Sequence, residues 1–352
     1  MKTFTCVCGN RLHFENTRCI VCNRQLGFIT GALVLSALDP AGEDRWQALS
    51  VPGSGSNYKQ CLNYKKHNVC NWMIPADDTN HFCGSCRLNK IIPNLGKAEN
   101  HELWKRVETA KRRLLFTLYC LKLPVISRAE DPEKGLGFRF LEDQTPPTWQ
   151  QKVKDKDKIY TGHLSGLITI NIAEAVHSER ESVREKMNES YRTLLGHFRH
   201  ESGHYYWERL INNSRWHEEF RSLFGDENMN YSEAMSLHYK NNRSYDWQEN
   251  HITHYAGSHP WEDWAETWAH FLHIYDTLQT ANDLQLSAGP LAFDVLTDIE
   301  NALQQWQELA IVLNALNRSM GMEDPYPFAI NDVVANKLHF IYTVIANSAV
   351  EV

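Results

Sequence analysis

Two histidines separated by three residues, in His200-Glu201-Ser202-Gly203-His204, place the strongest constraint on the fold of this chain. Residues four apart lie on one face of an α-helix, because a turn takes about 3.6 residues, so a helix brings the two imidazoles together. Two nitrogen ligands in this arrangement suit a tetrahedral zinc ion. Glu201 can then reach a water molecule beside the metal without binding the metal itself. This HExxH pattern is typical of zinc proteases and predicts that Glu201 is the general base.

A catalytic zinc ion also needs a third protein ligand and an open position. Trp207 and Leu210 stand where the extended HExxHxxGxxH pattern requires a glycine and a third histidine, so the third ligand must come from elsewhere. We expect it on a second helix, over residues 260–278. Glu262 is predicted as the ligand and Glu266 as the residue that holds a ligand histidine through its second nitrogen. Three alternatives for the third ligand remain open: Asp263, Glu266 itself and His259.

Eight of the nine cysteines lie within the first 86 residues, several in CxC or CxxC pairs. The first residues run directly into the cysteine-rich segment without the apolar stretch of a signal peptide, so we expect no secretory signal. Without a secretory signal, the clustering of the cysteines predicts metal sites rather than disulfides. Gly9 and Asn23 follow the second cysteine of the first two pairs, where a tight turn lets backbone amides face the sulfurs. We predict two structural zinc ions, bound by Cys6, Cys8, Cys19 and Cys22 and by Cys61, Cys70, Cys83 and Cys86. His67 and His81 are alternatives should one cysteine not bind.

The charge of residues 1–100 argues against a nucleic-acid-binding module. This segment has eleven Lys and Arg against seven Asp and Glu, an excess of four positive charges. A zinc ion with four thiolates carries a net charge of about −2, so two such sites cancel the excess. We therefore expect no nucleic-acid partner, and we expect this region to contact another protein or to dock on the neighbouring domain. The predicted protease chemistry implies a protein or peptide substrate. The sequence has no stretch of about 18 apolar residues, so we expect no membrane span and a cytoplasmic location.

Hydrophobic periodicity predicts an α+β fold. Small zinc-ribbon modules over residues 1–95 precede a mostly helical, zincin-like metallopeptidase domain with a small sheet over residues 96–352. The predicted strands are 137–141 and 166–172, and the predicted helices are 97–123, 260–278, 291–317, 329–346 and one carrying the HExxH residues. In a zincin, a strand such as 166–172 pairs with extended substrate beside the metal.

The motifs around the predicted catalytic site resemble the glutamate-type zincins, notably the protease domain of anthrax lethal factor. That domain combines HExGH on one helix with an ExxAE segment and a tyrosine seven residues before the ligand glutamate. The matching residues here are His200-Glu201-Ser202-Gly203-His204, Glu262-Asp263-Trp264-Ala265-Glu266 and Tyr255. The resemblance implies that Tyr255 donates a hydrogen bond to the oxyanion formed during peptide hydrolysis.

Over its whole length the chain is similar to bacterial zinc-binding metallopeptidases with an N-terminal zinc ribbon. The stretches that carry this resemblance are 12–16, 136–140, 161–163, 166–174, 197–206 and 262–266. We predict a zinc endopeptidase with one catalytic and two structural zinc ions. Two alternatives remain open. One is a zinc-ribbon adaptor protein whose zincin domain is idle or gated, and the other is a zinc hydrolase that acts on a non-peptide substrate.

Overall fold

Two compact units make up the chain in the computed structural model, which describes residues 2–51, 57–143, 159–187, 189, 191–240, 247–286 and 298–348. The first unit comprises Met1–Cys120 and Val125–Val176, and the second comprises Leu121–Pro124 and His177–Val352. The predicted boundary between residues 95 and 96 lies inside the first unit, so the division into 1–95 and 96–352 remains a prediction. Within the described ranges, no helix is both long and apolar enough to cross a lipid bilayer.

The described part of the first unit contains three sheets, two α-helices and three short 3-10 helices. The strands are β1 (Phe4–Thr5), β2 (Arg11–Leu12), β3 (Gln25–Ile29), β4 (Val34–Pro40), β5 (Trp46–Ala48), β6 (Asn57–Gln60), β7 (Met73–Pro75), β8 (Asn89–Ile91), β9 (Gly137–Leu141), β10 (Gly162–Leu164) and β11 (Leu167–Asn171). The helices are α1 (Leu62–His67) and α2 (Ala98–Cys120). β1 pairs with β2, β3 to β7 form an antiparallel sheet in chain order, and the third sheet has the order β10-β11-β9-β8.

The predicted strands at 137–141 and 166–172 are confirmed as β9 and β11, which pair in parallel with Gly137 opposite Leu167. β10 and β11 form an antiparallel hairpin joined by Ser165 and Gly166. Both turn residues have positive φ, 46° and 80°. A two-residue turn of this kind matches the right-handed twist of the strands and favours glycine.

The predicted helix at 97–123 is confirmed as α2, which buries Trp104 and Val107 along its apolar side. Three charged residues of the same helix, Glu108, Lys111 and Arg112, are also buried, at 0 %, 0 % and 4 % exposure. Lys111 Nζ lies 2.9 Å from Glu108 Oε2. The charged residues between the apolar positions therefore do not all face solvent.

Helices form the described part of the second unit. They are α3 (His177–Met187), α4 (Leu194–Tyr206), α5 (His217–Phe224), α6 (Tyr231–Lys240), α7 (Trp247–Asn250), α8 (Pro260–Asp283), α9 (Ile299–Ser319) and α10 (Asp332–Ala346). The helices predicted at 260–278 and 329–346 are confirmed as α8 and α10. The helix predicted at 291–317 is present as α9 from Ile299 onward, and residues 291–297 lie outside the described residues. The predicted α+β fold class is confirmed.

α4 and α8 cross in close contact inside the second unit. A Cβ atom placed on Gly203 would lie 2.9 Å from Ala265 Cα, so only glycine lets the two backbones approach this far. The indole of Trp264 donates a hydrogen bond to the Gly203 carbonyl at 2.9 Å, and the indole of Trp268 donates to Ser202 Oγ at 3.1 Å. These contacts fix the register of the two helices that carry the predicted catalytic residues.

Candidate metal centre

α4 carries the HExxH residues and begins at a side-chain cap. The Thr193 hydroxyl accepts a hydrogen bond from the Gly196 amide at 2.9 Å, which satisfies one of the free amides of the first turn. His200 and His204 follow on one face of the helix, with their Nε2 atoms 3.2 Å apart. The structure thus brings together the two imidazoles that the sequence predicted would converge.

The third group of the cluster comes from the first turn of α8. His259 caps this helix, with its Nδ1 accepting a hydrogen bond from the Trp261 amide at 3.1 Å. Glu262 Oε2 then lies 3.1 Å from His200 Nε2 and 3.4 Å from His204 Nε2. Glu262 is only 2 % exposed, so its carboxylate faces the imidazoles rather than solvent.

The spacing of these three ligand atoms fits a zinc ion. Ligand atoms bound tetrahedrally at about 2.0–2.1 Å lie about 3.3 Å from one another. The three separations in the structure are 3.1, 3.2 and 3.4 Å. His200, His204 and Glu262 therefore form a group that could hold a metal ion. Two imidazoles and one carboxylate leave a fourth position open, as catalytic zinc sites do.

Glu266 lies where the sequence predicted a residue that orients a ligand histidine. His200 Nδ1 is 2.7 Å from Glu266 Oε1, and the Thr253 hydroxyl donates to Glu266 Oε2 at 2.8 Å. Burial opposes ionisation of Glu266, but the hydrogen bond with His200 prevails and lowers its pKa. An ionised Glu266 accepts the Nδ1 proton, which leaves Nε2 of His200 free to bind a metal.

The alternatives for the third ligand are engaged elsewhere. Asp263 accepts a hydrogen bond from Lys337 Nζ at 2.6 Å, and His251 Nδ1 lies 3.1 Å from the same oxygen. His259 caps α8, and Glu266 holds the far nitrogen of His200. The geometry therefore favours Glu262 as the third ligand.

Glu201 lies beside this cluster without belonging to it. Its side chain is 6 % exposed, and its Oε2 atom has no hydrogen-bond partner in the described part of the chain. Burial raises the pKa of Glu201, and the imidazoles of His200 and His204 oppose this effect. A buried carboxylate oxygen without a partner is costly. The arrangement therefore fits a water molecule held between Glu201 and a metal ion.

Two tyrosines adjoin the cluster, and the sequence indicated only one of them. The ring centroid of Tyr255 lies 5.9 Å from that of His200. Tyr231, at the start of α6, donates a hydrogen bond to Glu262 Oε1 at 2.8 Å. Burial is the main reason that the pKa of each phenol is raised, and the two phenols also interact with each other. Tyr231 belongs to no recognisable motif and precedes Glu262 by 31 residues, so no sequence signal pointed to it.

The first cysteine set also has zinc spacing. The Sγ atoms of Cys6 and Cys22 are 3.6 Å apart, and those of Cys8 and Cys19 are 3.7 Å apart. Four sulfurs bound to zinc at about 2.3 Å would lie about 3.8 Å from one another, whereas a disulfide needs about 2 Å. Gly9 and Asn23 both have positive φ, 85° and 62°, as the predicted tight turns require.

The second cysteine set is buried in the first unit. Cys61, Cys70, Cys83 and Cys86 are at most 4 % exposed. The Sγ atoms of Cys70 and Cys83 are 3.7 Å apart, and these four cysteines form a group that could hold a metal ion. Neither His67 nor His81 belongs to that group.

Buried cations accompany the second cysteine set. The guanidinium of Arg112 donates to the Val69 carbonyl, and Lys111 Nζ donates to the Ser85 carbonyl at 3.1 Å. Burial opposes the charge of Arg112, but the sulfurs of Cys70, Cys83 and Cys86 and the carboxylate of Glu108 prevail and raise its pKa. A zinc ion with four thiolates has a net charge of about −2, which fits two neighbouring cations that share one carboxylate.

Comparisons with known proteins place this geometry in context. A family model described as "Putative zinc-binding metallo-peptidase" matches residues 100–344, and a zinc-ribbon domain model matches residues 3–97. An uncharacterized protein of Mycobacterium bovis is 39 % identical over 357 residues, covering 98 % of this chain and 95 % of the relative. Two uncharacterized proteins of Mycobacterium tuberculosis match with the same identity and coverage. No solved structure matches the chain. The likeness to the lethal factor protease domain therefore rests on the short motifs alone.

Proposed function

The chain belongs to the zinc-binding metallopeptidase family whose model matches residues 100–344, and we propose that it is an endopeptidase of the glutamate-type zincin class. Its substrate is a protein or peptide. Its catalytic zinc ion is bound by His200, His204 and Glu262, and each set of four cysteines binds one structural zinc ion.

The residues around the cluster divide the work of peptide hydrolysis. Zinc, when bound, acts as a Lewis acid and lowers the pKa of water to about 7. Glu201 takes a proton from the attacking water and then delivers it to the leaving amine. Tyr255 donates a hydrogen bond to the carbonyl oxygen as negative charge develops there, and loss of one such donor typically costs about 3 kcal/mol. Glu266 keeps the imidazole of His200 in the required orientation.

One observation carries this proposal. Glu262 Oε2 lies within 3.4 Å of both ligand imidazoles, while the neighbouring carboxylate of Glu201 is buried with one oxygen unpaired. A purely structural cluster would not need a second, unpaired carboxylate at that position. The pair supplies a ligand and a base from two different helices.

Metal counting combined with a peptide-cleavage assay tests the proposal. The wild type should bind three zinc ions, and the double variant His200→Ala/His204→Ala should bind two. Glu201→Gln should keep three zinc ions and lose activity by at least about 100-fold, because only the proton-transfer group is removed. Glu218→Gln, the same change at an exposed position on α5, is the matched control. Full activity of the Glu201→Gln variant would remove Glu201 from the mechanism.

A binding function for the zinc-ribbon region is the second candidate. Three aliphatic side chains flank the first cysteine set in exposed positions, namely Val7 at 48 %, Ile20 at 90 % and Val21 at 66 %. Exposed apolar groups on a small module suit a protein partner. If the wild type binds three zinc ions and cleaves no member of a broad peptide library, this adaptor function is favoured over the peptidase.

A further inference from the structure

The helix α6 has little packing of its own, yet one of its residues contacts the metal cluster. None of its ten residues is buried. Leu237 and Tyr239 on this helix are both 51 % exposed. Tyr231 is the first residue of α6 and is itself 41 % exposed, but its hydroxyl reaches Glu262 on α8. An exposed helix is therefore tied to a buried carboxylate.

This hydrogen bond occupies one particular oxygen of Glu262. Tyr231 donates to Oε1 at 2.8 Å, whereas Oε2 faces His200 and His204. A carboxylate whose two oxygens have different partners cannot rotate without losing one of them. Glu262 is thereby held so that a single oxygen points at the position where a metal would be bound.

We propose that Tyr231 is a positioning residue that holds Glu262 in its metal-binding orientation and thereby couples the docking of α6 to metal occupancy. The inference rests on the ligand set of the proposed function. Coupling of this kind is reciprocal: if docked α6 strengthens metal binding, then bound metal must stabilise docked α6 by the same free energy. Partners that hold ligand carboxylates typically contribute about 10–100-fold to metal affinity.

Tyr231 and Tyr255 have separable roles in this arrangement. Tyr231 contacts a ligand and should act on metal affinity, while Tyr255 is proposed to contact the reacting carbonyl and should act on turnover. Tyr231→Phe keeps the aromatic ring and removes only the donor. Tyr160→Phe makes the same change at a tyrosine that is 69 % exposed and serves as the matched control.

Zinc affinity measured by competition with a chelator gives the first readout. Each protein is also measured with His200→Ala and His204→Ala added, a background in which only the cysteine sites remain. Subtracting the signal of that background from the signal of the same protein without these two changes gives the zinc binding at the catalytic site. Tyr231→Phe should bind zinc about 10–100-fold more weakly than the wild type, and Tyr160→Phe should match the wild type. Unchanged zinc affinity in Tyr231→Phe would overturn the proposal.

Hydrogen exchange of the α6 amides gives a second readout that does not depend on activity. In the wild type, zinc should slow exchange over residues 231–240, and in Tyr231→Phe this protection should be largely lost. Equal protection in both proteins would contradict the coupling. Peptide cleavage is measured separately. An inactive wild type whose zinc affinity still depends on Tyr231 would refute the peptidase and support this inference.

Discussion

Glu201 and Glu262 are buried carboxylates beside the same two imidazoles, yet their surroundings give them different chemistry. Burial alone would raise the pKa of Glu262, but His204 and His200 prevail and lower it well below its usual range. In Glu201 burial prevails, and its pKa is raised. One side chain is therefore suited to remain an anionic ligand and the other to exchange a proton. Environments that separate the pKa values of paired acids in this way often identify the two roles.

The buried imidazole of His270 makes the stability of the protein depend on pH. His270 on α8 is buried, with Nδ1 2.8 Å from the Tyr326 hydroxyl, and burial lowers its pKa from the ordinary value of 6.5 to about 4. The unfolded chain therefore binds a proton at His270 more readily than the folded chain does. The contribution of neutral His270 to stability is present above pH 6.5 and is lost as the pH falls from 6.5 towards 4.

We predict that His270→Gln flattens this acid dependence. Glutamine keeps a hydrogen-bonding group for Tyr326 but does not titrate. The free energy of unfolding of the wild type should fall relative to that of the variant by up to roughly 3 kcal/mol as the pH drops to about 4. Urea unfolding at pH 7, 6, 5 and 4 measures this difference. Parallel curves for the two proteins would show that His270 does not contribute to the acid dependence.

At the scale of elements, the crossing of α4 and α8 determines whether His200, His204 and Glu262 come together. Each helix supplies part of the cluster, and the short distance between them depends on Gly203. In most helix interiors, replacing glycine by alanine is stabilising by about 1 kcal/mol. Here the added Cβ atom would lie 2.9 Å from Ala265 Cα and 3.2 Å from Trp268 Cβ, so alanine should destabilise the protein instead.

We predict that Gly203→Ala destabilises the protein by about 1–3 kcal/mol and weakens zinc binding at the catalytic site. The helices must separate to admit the methyl group, and this moves Glu262 away from His200 and His204. Thermal unfolding and the zinc competition assay measure the two effects. Gly31→Ala, at a glycine whose added Cβ atom would meet nothing within 4 Å, should show neither. Unaltered zinc affinity in Gly203→Ala would mean that the crossing tolerates the methyl group.

At the scale of the whole molecule, the two cysteine sets differ in how deeply they are built into the fold. The second set lies in the interior of the first unit, beside the buried cations of α2. The first set leaves Cys8 exposed and lies next to short strands. Metal loss at the second set would leave Lys111 and Arg112 buried without most of the negative charge that balances them. Breaking a buried ion pair on one side typically costs about 3–5 kcal/mol.

We predict that Cys83→Ser destabilises the first unit by more than Cys8→Ser does, although each variant removes one predicted zinc ligand. In Cys83→Ser, hydrogen exchange should accelerate along α2 as well as around the cysteines. In Cys8→Ser, exchange should accelerate around residues 4–24 and leave α2 protected. Zinc content, thermal unfolding and hydrogen exchange on the two variants make the comparison. Equal loss of protection along α2 in both variants would show that the two cysteine sets contribute equally to the stability of α2.

Local spacing in the chain was enough to predict several features of the protein. The cysteine pairs, the two histidines four residues apart and the periodic helices and strands follow from backbone geometry over a few residues, so they could be predicted without a structure. Glu262 could also be predicted as a ligand although it lies 58 residues after His204, because two acids four residues apart on one predicted helix left few candidates. Even so, four groups remained open as the third ligand.

Tertiary contacts favour Glu262 among those groups and bring in residues that no motif contains. Asp263 is bound by Lys337 from α10, Glu266 is held between His200 and Thr253, and Tyr231 reaches Glu262 from a helix with no sequence signature. The burial of Lys111 and Arg112 could not be read from their spacing either. Each of these facts depends on which distant segments meet in space. Contacts between distant segments are set by the packing of the whole chain, whereas periodicity and spacing report only on residues that are neighbours in sequence.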